Sequence, residues 1–154
     1  MKKTIAILML VAILAFSLAS CFGSAKEMTF TEPTGWTKTE SSAMSLYTSS
    51  TGSNFNYMKV KGAGGFNSMK EADYQKELDL LGATMTSFER ITFAGMEKTI
   101  HVTYNLNMSG INMTGEQYMI KTGNYVYTLT FTTVSGDTGA KTVFDAIKAS
   151  IEFK

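Results

Sequence analysis

Between Glu97 and Asn107 apolar and polar residues alternate. Ile100, Val102, Tyr104 and Leu106 take one phase, and Thr99, His101, Thr103 and Asn105 take the other. A period of two is the mark of a strand. Tyr125 to Val134 repeats the pattern, with Tyr125, Tyr127, Leu129 and Phe131 set against Val126, Thr128, Thr130 and Thr132. Ile111 to Lys121 lies between them, bounded by the turns Met108-Ser109-Gly110 and Gly123-Asn124. With Met85 to Phe93 these segments predict a four-strand antiparallel meander. Upstream, Met28 to Thr31, Ala43 to Thr48 and Asn54 to Lys61 read as three short strands, separated by turns at Glu32-Pro33-Thr34-Gly35 and Ser49 to Ser53. Gly62-Ala63-Gly64-Gly65 breaks the alternation, and the period then changes. Ser68-Met69-Lys70-Glu71 has the form of a capping box, Tyr74, Leu78 and Leu81 share one helical face, and Gly82 suits a C-terminal cap. A second helix is predicted from near Asp137, with Val143, Phe144, Ile147 and Ile151 as its apolar stripe.

The order is three strands, a helix, four strands and a helix. The expected fold class is α+β: a twisted antiparallel sheet of about six to seven strands with two packed helices. A chain of 154 residues holds one domain. Twenty-one threonines and a single proline favour strands. The pattern leads to the expectation that Ile100, Val102, Tyr104 and Leu106 join Tyr127, Leu129 and Phe131 in one core face under the helices. The threonine phase should then be at least partly wet.

The N-terminus changes the picture. Lys2 and Lys3 precede an apolar run, Ile5 to Leu18, broken only by Ser17. As a helix this run would reach ~21 Å, short of the ~30 Å hydrocarbon core, which favours an export signal over a membrane span. It ends in Leu18-Ala19-Ser20-Cys21, which resembles the bacterial lipobox, where an aliphatic and two small residues precede the cysteine that receives diacylglycerol. The competing reading is ordinary signal cleavage after Ala25, where Gly23-Ser24-Ala25 supplies the small residues. On the lipobox reading, residues 1–20 are signal, 21–27 a short tether and 28–154 the domain, with Cys21 as the lipidation site. Palmitate is then an expected label. The expected place is the extracytoplasmic face of a cell membrane.

Charge and composition bound the chemistry. The chain carries one Cys and one His, and its net charge is +1. That excludes a disulfide framework, a cysteine-based zinc site and a multi-histidine metal site, and it offers no basic stripe for nucleic acid. Without Lys2 and Lys3, twelve basic side chains face thirteen acidic ones. His101 sits on the polar phase of its strand, flanked by Thr99 and Thr103, and reads as a surface histidine. A cross-strand carboxylate such as Glu116 would reach it only in the right register. Glu71, Asp73, Glu77 and Asp79, interleaved with Lys70 and Lys76, read as a solvated helix face. Gly136 to Thr142 fails the spacing of a phosphate loop and reads as a turn and cap. Gly62 to Gly65 reads as a loop, with weak capacity to offer amides to an anion. Thr128, Thr130 and Thr132 form a single hydroxyl row, without the repetition an ice-binding array needs. Met108, Met113 and Met119 read first as core filling and second as an adaptable contact surface. No catalytic residue, cofactor site or metal site is expected.

Phe30-Thr31-Glu32-Pro33-Thr34-Gly35-Trp36, the glycine break and helix over 62–81, Phe93-Ala94-Gly95-Met96, Tyr125-Val126-Tyr127-Thr128-Leu129-Thr130 and Phe144-Asp145-Ala146-Ile147 together resemble the PsbP-like fold, shared with the DcrB-like bacterial lipoproteins. The resemblance covers most of 28–154. It implies a non-enzymatic domain that binds a protein partner or assists assembly at a membrane, and it carries over no catalytic residues. It also implies helices on both sides of the sheet, against the one wet face expected from alternation. The competing function is a small-molecule or lipid carrier with a pocket between sheet and helices.

Overall fold

The computed structural model describes residues 25–154. The lipobox and Cys21 lie outside the described residues. Among the described residues nine strands and two α-helices follow in the order β1 (Met28–Thr29), β2 (Thr37–Glu40), β3 (Met44–Thr48), β4 (Asn54–Lys61), α1 (Glu71–Asp79), β5 (Ala83–Phe93), β6 (Met96–Met108), β7 (Ile111–Thr122), β8 (Tyr125–Val134), α2 (Ala140–Ser150) and β9 (Glu152–Phe153). Seven strands form one antiparallel sheet in the order β2-β3-β4-β8-β7-β6-β5, and β1 pairs with β9 in a separate ribbon. The expected α+β architecture is present. Strands β2 and β9 are additions to it: all four residues of β2 are exposed, so no apolar alternation marks it.

Register corrects the expected core. Tyr104 lies beside Gly115, and Gly115 beside Thr132; Val102 lies beside Gln117, and Gln117 beside Thr130. The apolar phase of β6 therefore shares a face with the threonine phase of β8. Leu129 and Phe131 fall on the opposite face, with Tyr118 and Glu116 beside them and His101 and Thr103 one strand further. Both faces are covered. On one, Tyr74 and Leu78 of α1, with Phe66 and Met69 before it, pack on Ile100, Val102, Tyr104, Leu106 and Met119. On the other, Phe144, Ile147 and Ile151 pack on Tyr47, Phe55, Leu129 and Phe131. Met113 and Met119 are core residues, and Met108 packs at its margin.

The threonine phase of β8 is not wet: Thr130 is 1% exposed. It accepts a hydrogen bond from Gln117 Nε2 at 2.8 Å, while Gln117 Oε1 accepts the Tyr74 hydroxyl from α1. Burying these polar groups is tolerable because each finds a partner.

The helix starts also differ in detail. Ser68 does not cap α1. It lies in a 3-10 turn, donates to the Gly65 carbonyl at 3.1 Å, and leaves Lys70 at the N-cap position with no side-chain cap bond. At α2 the N-cap position is Gly139, and Asp137 two residues before it braces the turn, its Oδ1 accepting the amides of Gly139 and Ala140 at 3.2 and 3.1 Å. Its Oδ2 accepts the hydroxyls of Ser49 and Thr51, pinning the β3–β4 loop to the helix start. Gly82 closes α1 at φ +67°.

Candidate functional site

The most concentrated polar chemistry lies under α2, and the β6–β7 hairpin builds it. Ser109 and Gly110 both have left-handed backbone, at φ +53° and +84°, the two-residue turn that matches strand twist. This turn pairs Met108 with Ile111, and counting back sets His101 opposite Tyr118 and Thr103 opposite Glu116. The His101 and Tyr118 rings stack with centroids 4.5 Å apart, and Phe93 closes on Tyr118 at 4.2 Å. Lys148 reaches down from α2.

Glu116 is the hub. Its Oε1 meets His101 Nε2 at 3.1 Å and accepts the Tyr118 hydroxyl at 2.6 Å, while Oε2 accepts Lys148 Nζ at 3.0 Å. Burial alone would push this carboxyl up. Hydrogen bonds from His101, Tyr118 and Lys148, with the Lys148 charge, outweigh it and hold the pKa down at about 2. Burial and the neighbouring Glu116 carboxylate push the Tyr118 hydroxyl well above its ordinary value. His101 is thus not the bare surface histidine expected. It is a half-buried member of a charged brace that ties α2 to the sheet.

The hydroxyls flanking His101 are committed elsewhere. Thr99 Oγ1 donates to the Met96 carbonyl at 2.9 Å. Thr103 Oγ1 is 2.7 Å from both Thr86 and Ser87 hydroxyls, where a bulge in β5 sets two residues against one. Neither hydroxyl is hydrogen-bonded to His101 as a nucleophile would be to its base.

Beside the brace runs a cleft of about 270 Å³, with Thr103, Thr114, Glu116, Phe131 and Phe144 in its walls. It adjoins a groove of about 530 Å³ at the end of the sheet, mostly apolar, walled by Leu106, Met113 and Val134 with Asn105, Asn112 and Thr133 among them. Among the described residues no three His, Cys, Asp or Glu side chains converge as metal ligands. The helical carboxylates Glu71, Asp73 and Asp79 are exposed. Within the glycine break the Gly62 amide donates to the Asn124 carbonyl at 2.7 Å, and the Ala63 carbonyl accepts the Phe66 amide at 3.3 Å. Gly136 to Thr142 forms the turn and cap described above.

Sequence pattern named His101 and, conditionally, Glu116, but missed Tyr118 and Lys148. The length of the Ser109-Gly110 turn was the signal that fixes Tyr118. Nothing local marks Lys148, whose place depends on how α2 docks.

No protein-family model matches the chain, and no curated protein matches it in sequence. Solved structures do. Cyanobacterial PsbP (CyanoP) from Synechocystis sp. superposes with a TM-score of 0.56 at 13% identity, over 89% of this chain and 99% of that one. The fold is PsbP-like. A Bacteroides thetaiotaomicron protein shares this PsbP-like architecture with a TM-score of 0.52 at 17% identity, over 86% of this chain. The chain spans about half of that protein's length, 49%. LpqN of Mycobacterium tuberculosis, described as involved in cell envelope biogenesis, gives a TM-score of 0.49 at 18% identity. In the PsbP-like arrangement seen here, the brace and cleft lie on the α2 face, and the α1 face is sealed by the Tyr74–Gln117–Thr130 chain.

Proposed function

We propose that this chain is a membrane-anchored, extracytoplasmic lipoprotein whose PsbP-like domain serves as a non-enzymatic binding or assembly-accessory module for a protein partner. The observation that carries the reading is Leu18-Ala19-Ser20-Cys21, placed after a charged start and an apolar run and seven residues before β1. Among the described residues no helix is long and apolar enough to cross a membrane. Acylation would then hold the domain at the bilayer, since two or more acyl chains suffice for stable anchoring. The brace supports the non-enzymatic half. Glu116 accepts three internal hydrogen bonds that hold its pKa at about 2, far below the neutral range in which a general base works best.

One observation favours a second reading. The groove of about 530 Å³ has the size of a small-molecule site, its wall is mostly apolar, with Leu106, Met113 and Val134 set among Asn105, Asn112 and Thr133, and it lies at the sheet's end. A mostly apolar wall with a few amides and hydroxyls favours a small-molecule or lipid carrier, with the pocket at the sheet's end and not between sheet and helices.

Complementation of a deletion strain tests the proposal. At matched protein level His101→Ala should complement and Cys21→Ser should not. Failure of His101→Ala with unchanged melting would make the brace a reaction centre, and full rescue by Cys21→Ser would remove the anchor from the function.

A further inference from the structure

The lysines are not spread evenly. Lys61 sits at the end of β4 opposite Tyr125, and Lys121 near the end of β7 opposite Val126. Lys98 precedes Thr99, which pairs with Ile120, so it occupies the same end of the sheet. Lys26 donates its amide to Thr122 Oγ1 at 2.8 Å, and Lys154 exchanges backbone hydrogen bonds with Glu27 at 2.8 and 3.0 Å. Lys59 joins them, its ammonium 4.7 Å from the centre of the Tyr125 ring. Six lysines thus meet three acidic side chains, Glu27, Glu97 and Glu152, at this end. The rest of the chain after Cys21 carries six basic and ten acidic side chains. Lys59 and Lys154 are paired with Glu27 and Glu152. Lys26, Lys61, Lys98 and Lys121 have no ion-pair partner among the described residues, and the first three are exposed.

This is also the end where the chain enters the domain. Cys21 precedes Lys26 by five residues, a reach of at most ~18 Å. We propose that the lysine-bearing end of the sheet is a docking face for the anionic phospholipid headgroups of the membrane to which the chain is anchored, so that charge orients the domain and acylation only retains it. The inference rests on the lipoprotein reading for its geometry. The near balance of the whole chain hides the asymmetry. Each lysine near an anionic surface strengthens binding about fivefold, and the effect fades within a Debye length of ~8 Å. The opposite end, marked by Asn107 and Asn112, is nine residues away along the strands, ~30 Å, and lies beyond that field. The groove, walled by residues such as Asn105, Asn112 and Thr133, then faces away from the bilayer.

The test uses the full chain, produced with its own signal and reconstituted into vesicles of phosphatidylcholine alone or with about a third phosphatidylglycerol. A water-soluble amine reagent is applied and each lysine is read by mass spectrometry. Lys61, Lys98 and Lys121 should be modified several-fold more slowly on the anionic vesicles at low salt and recover at high salt. Lys76 and Lys141, exposed and nearer the far end, should not change. Equal rates on both vesicles at Lys61, Lys98 and Lys121 would overturn the docking face. The mass of the N-terminal peptide in the same sample reports acylation separately. A bare Cys21 would sink the anchor while leaving the lysine result to be read from chain bound to the same vesicles.

Discussion

Gly115 carries no side chain because the Tyr104 ring lies where a Cβ would be. The ring is buried and cannot swing aside, so Gly115→Ala should cost at least ~1–3 kcal/mol by overpacking. The Tyr104 hydroxyl itself is buried and finds no hydrogen-bond partner among the described residues. Tyr104→Phe should therefore leave stability unchanged or raise it, since an unpaired buried hydroxyl costs free energy. Urea unfolding of the two variants checks both, and a large loss in Tyr104→Phe would show that the hydroxyl has a partner. Glu116 makes a pH prediction. Its pKa falls from 4.5 to about 2 on folding, so its stabilisation is present above the unfolded value and is lost as pH drops from 4.5 toward 2. Glu116→Gln should lose about 1–3 kcal/mol at neutral pH and flatten stability over that acid range. An unchanged acid slope would mean that the three donors do not hold the carboxylate.

Elements were legible where the period was long. The strands β5 to β8, both helices and the turns between them follow from alternation, stripe and glycine placement. Which phase of β6 meets which phase of β8 did not follow, because each strand alone announces only two faces. The intervening strand decides, and β7 mixes Gly115 and Gln117 into its interior phase and Glu116 into the other, so it has no clean apolar side. The four-residue β2 and two-residue β9 are too short to carry a period. The Ser68 box failed because a 3-10 turn intervenes before α1, and local spacing cannot distinguish it from a helix start. The two-faced sheet makes a prediction at this scale. Leu129→Ala should cost ~2–5 kcal/mol on the α2 face. Thr130→Ala should also cost about 1–3 kcal/mol, because it strands the Gln117 amide in the α1 core. Unfolding in urea that showed no loss for Thr130→Ala would leave that face wet, as alternation alone suggested.

At the scale of the whole molecule, two signals stand at opposite ends of the sequence reading. The N-terminal signal is local, and four residues in context carry it. The brace on the α2 face is dispersed over β6, β7 and α2, and only hairpin register and helix docking bring His101, Glu116, Tyr118 and Lys148 together. The charge asymmetry of the domain is likewise invisible in a net charge. On the proposed reading, the PsbP-like domain offers surfaces for contact, and acylation at Cys21 gives it a place at the membrane. The direct measurement is metabolic labelling of cells with a clickable palmitate analogue, followed by recovery of the wild type and of Cys21→Ser. A labelled, membrane-associated wild type and an unlabelled Cys21→Ser protein are expected; equal labelling of the two, or of neither, would rule out lipidation at Cys21.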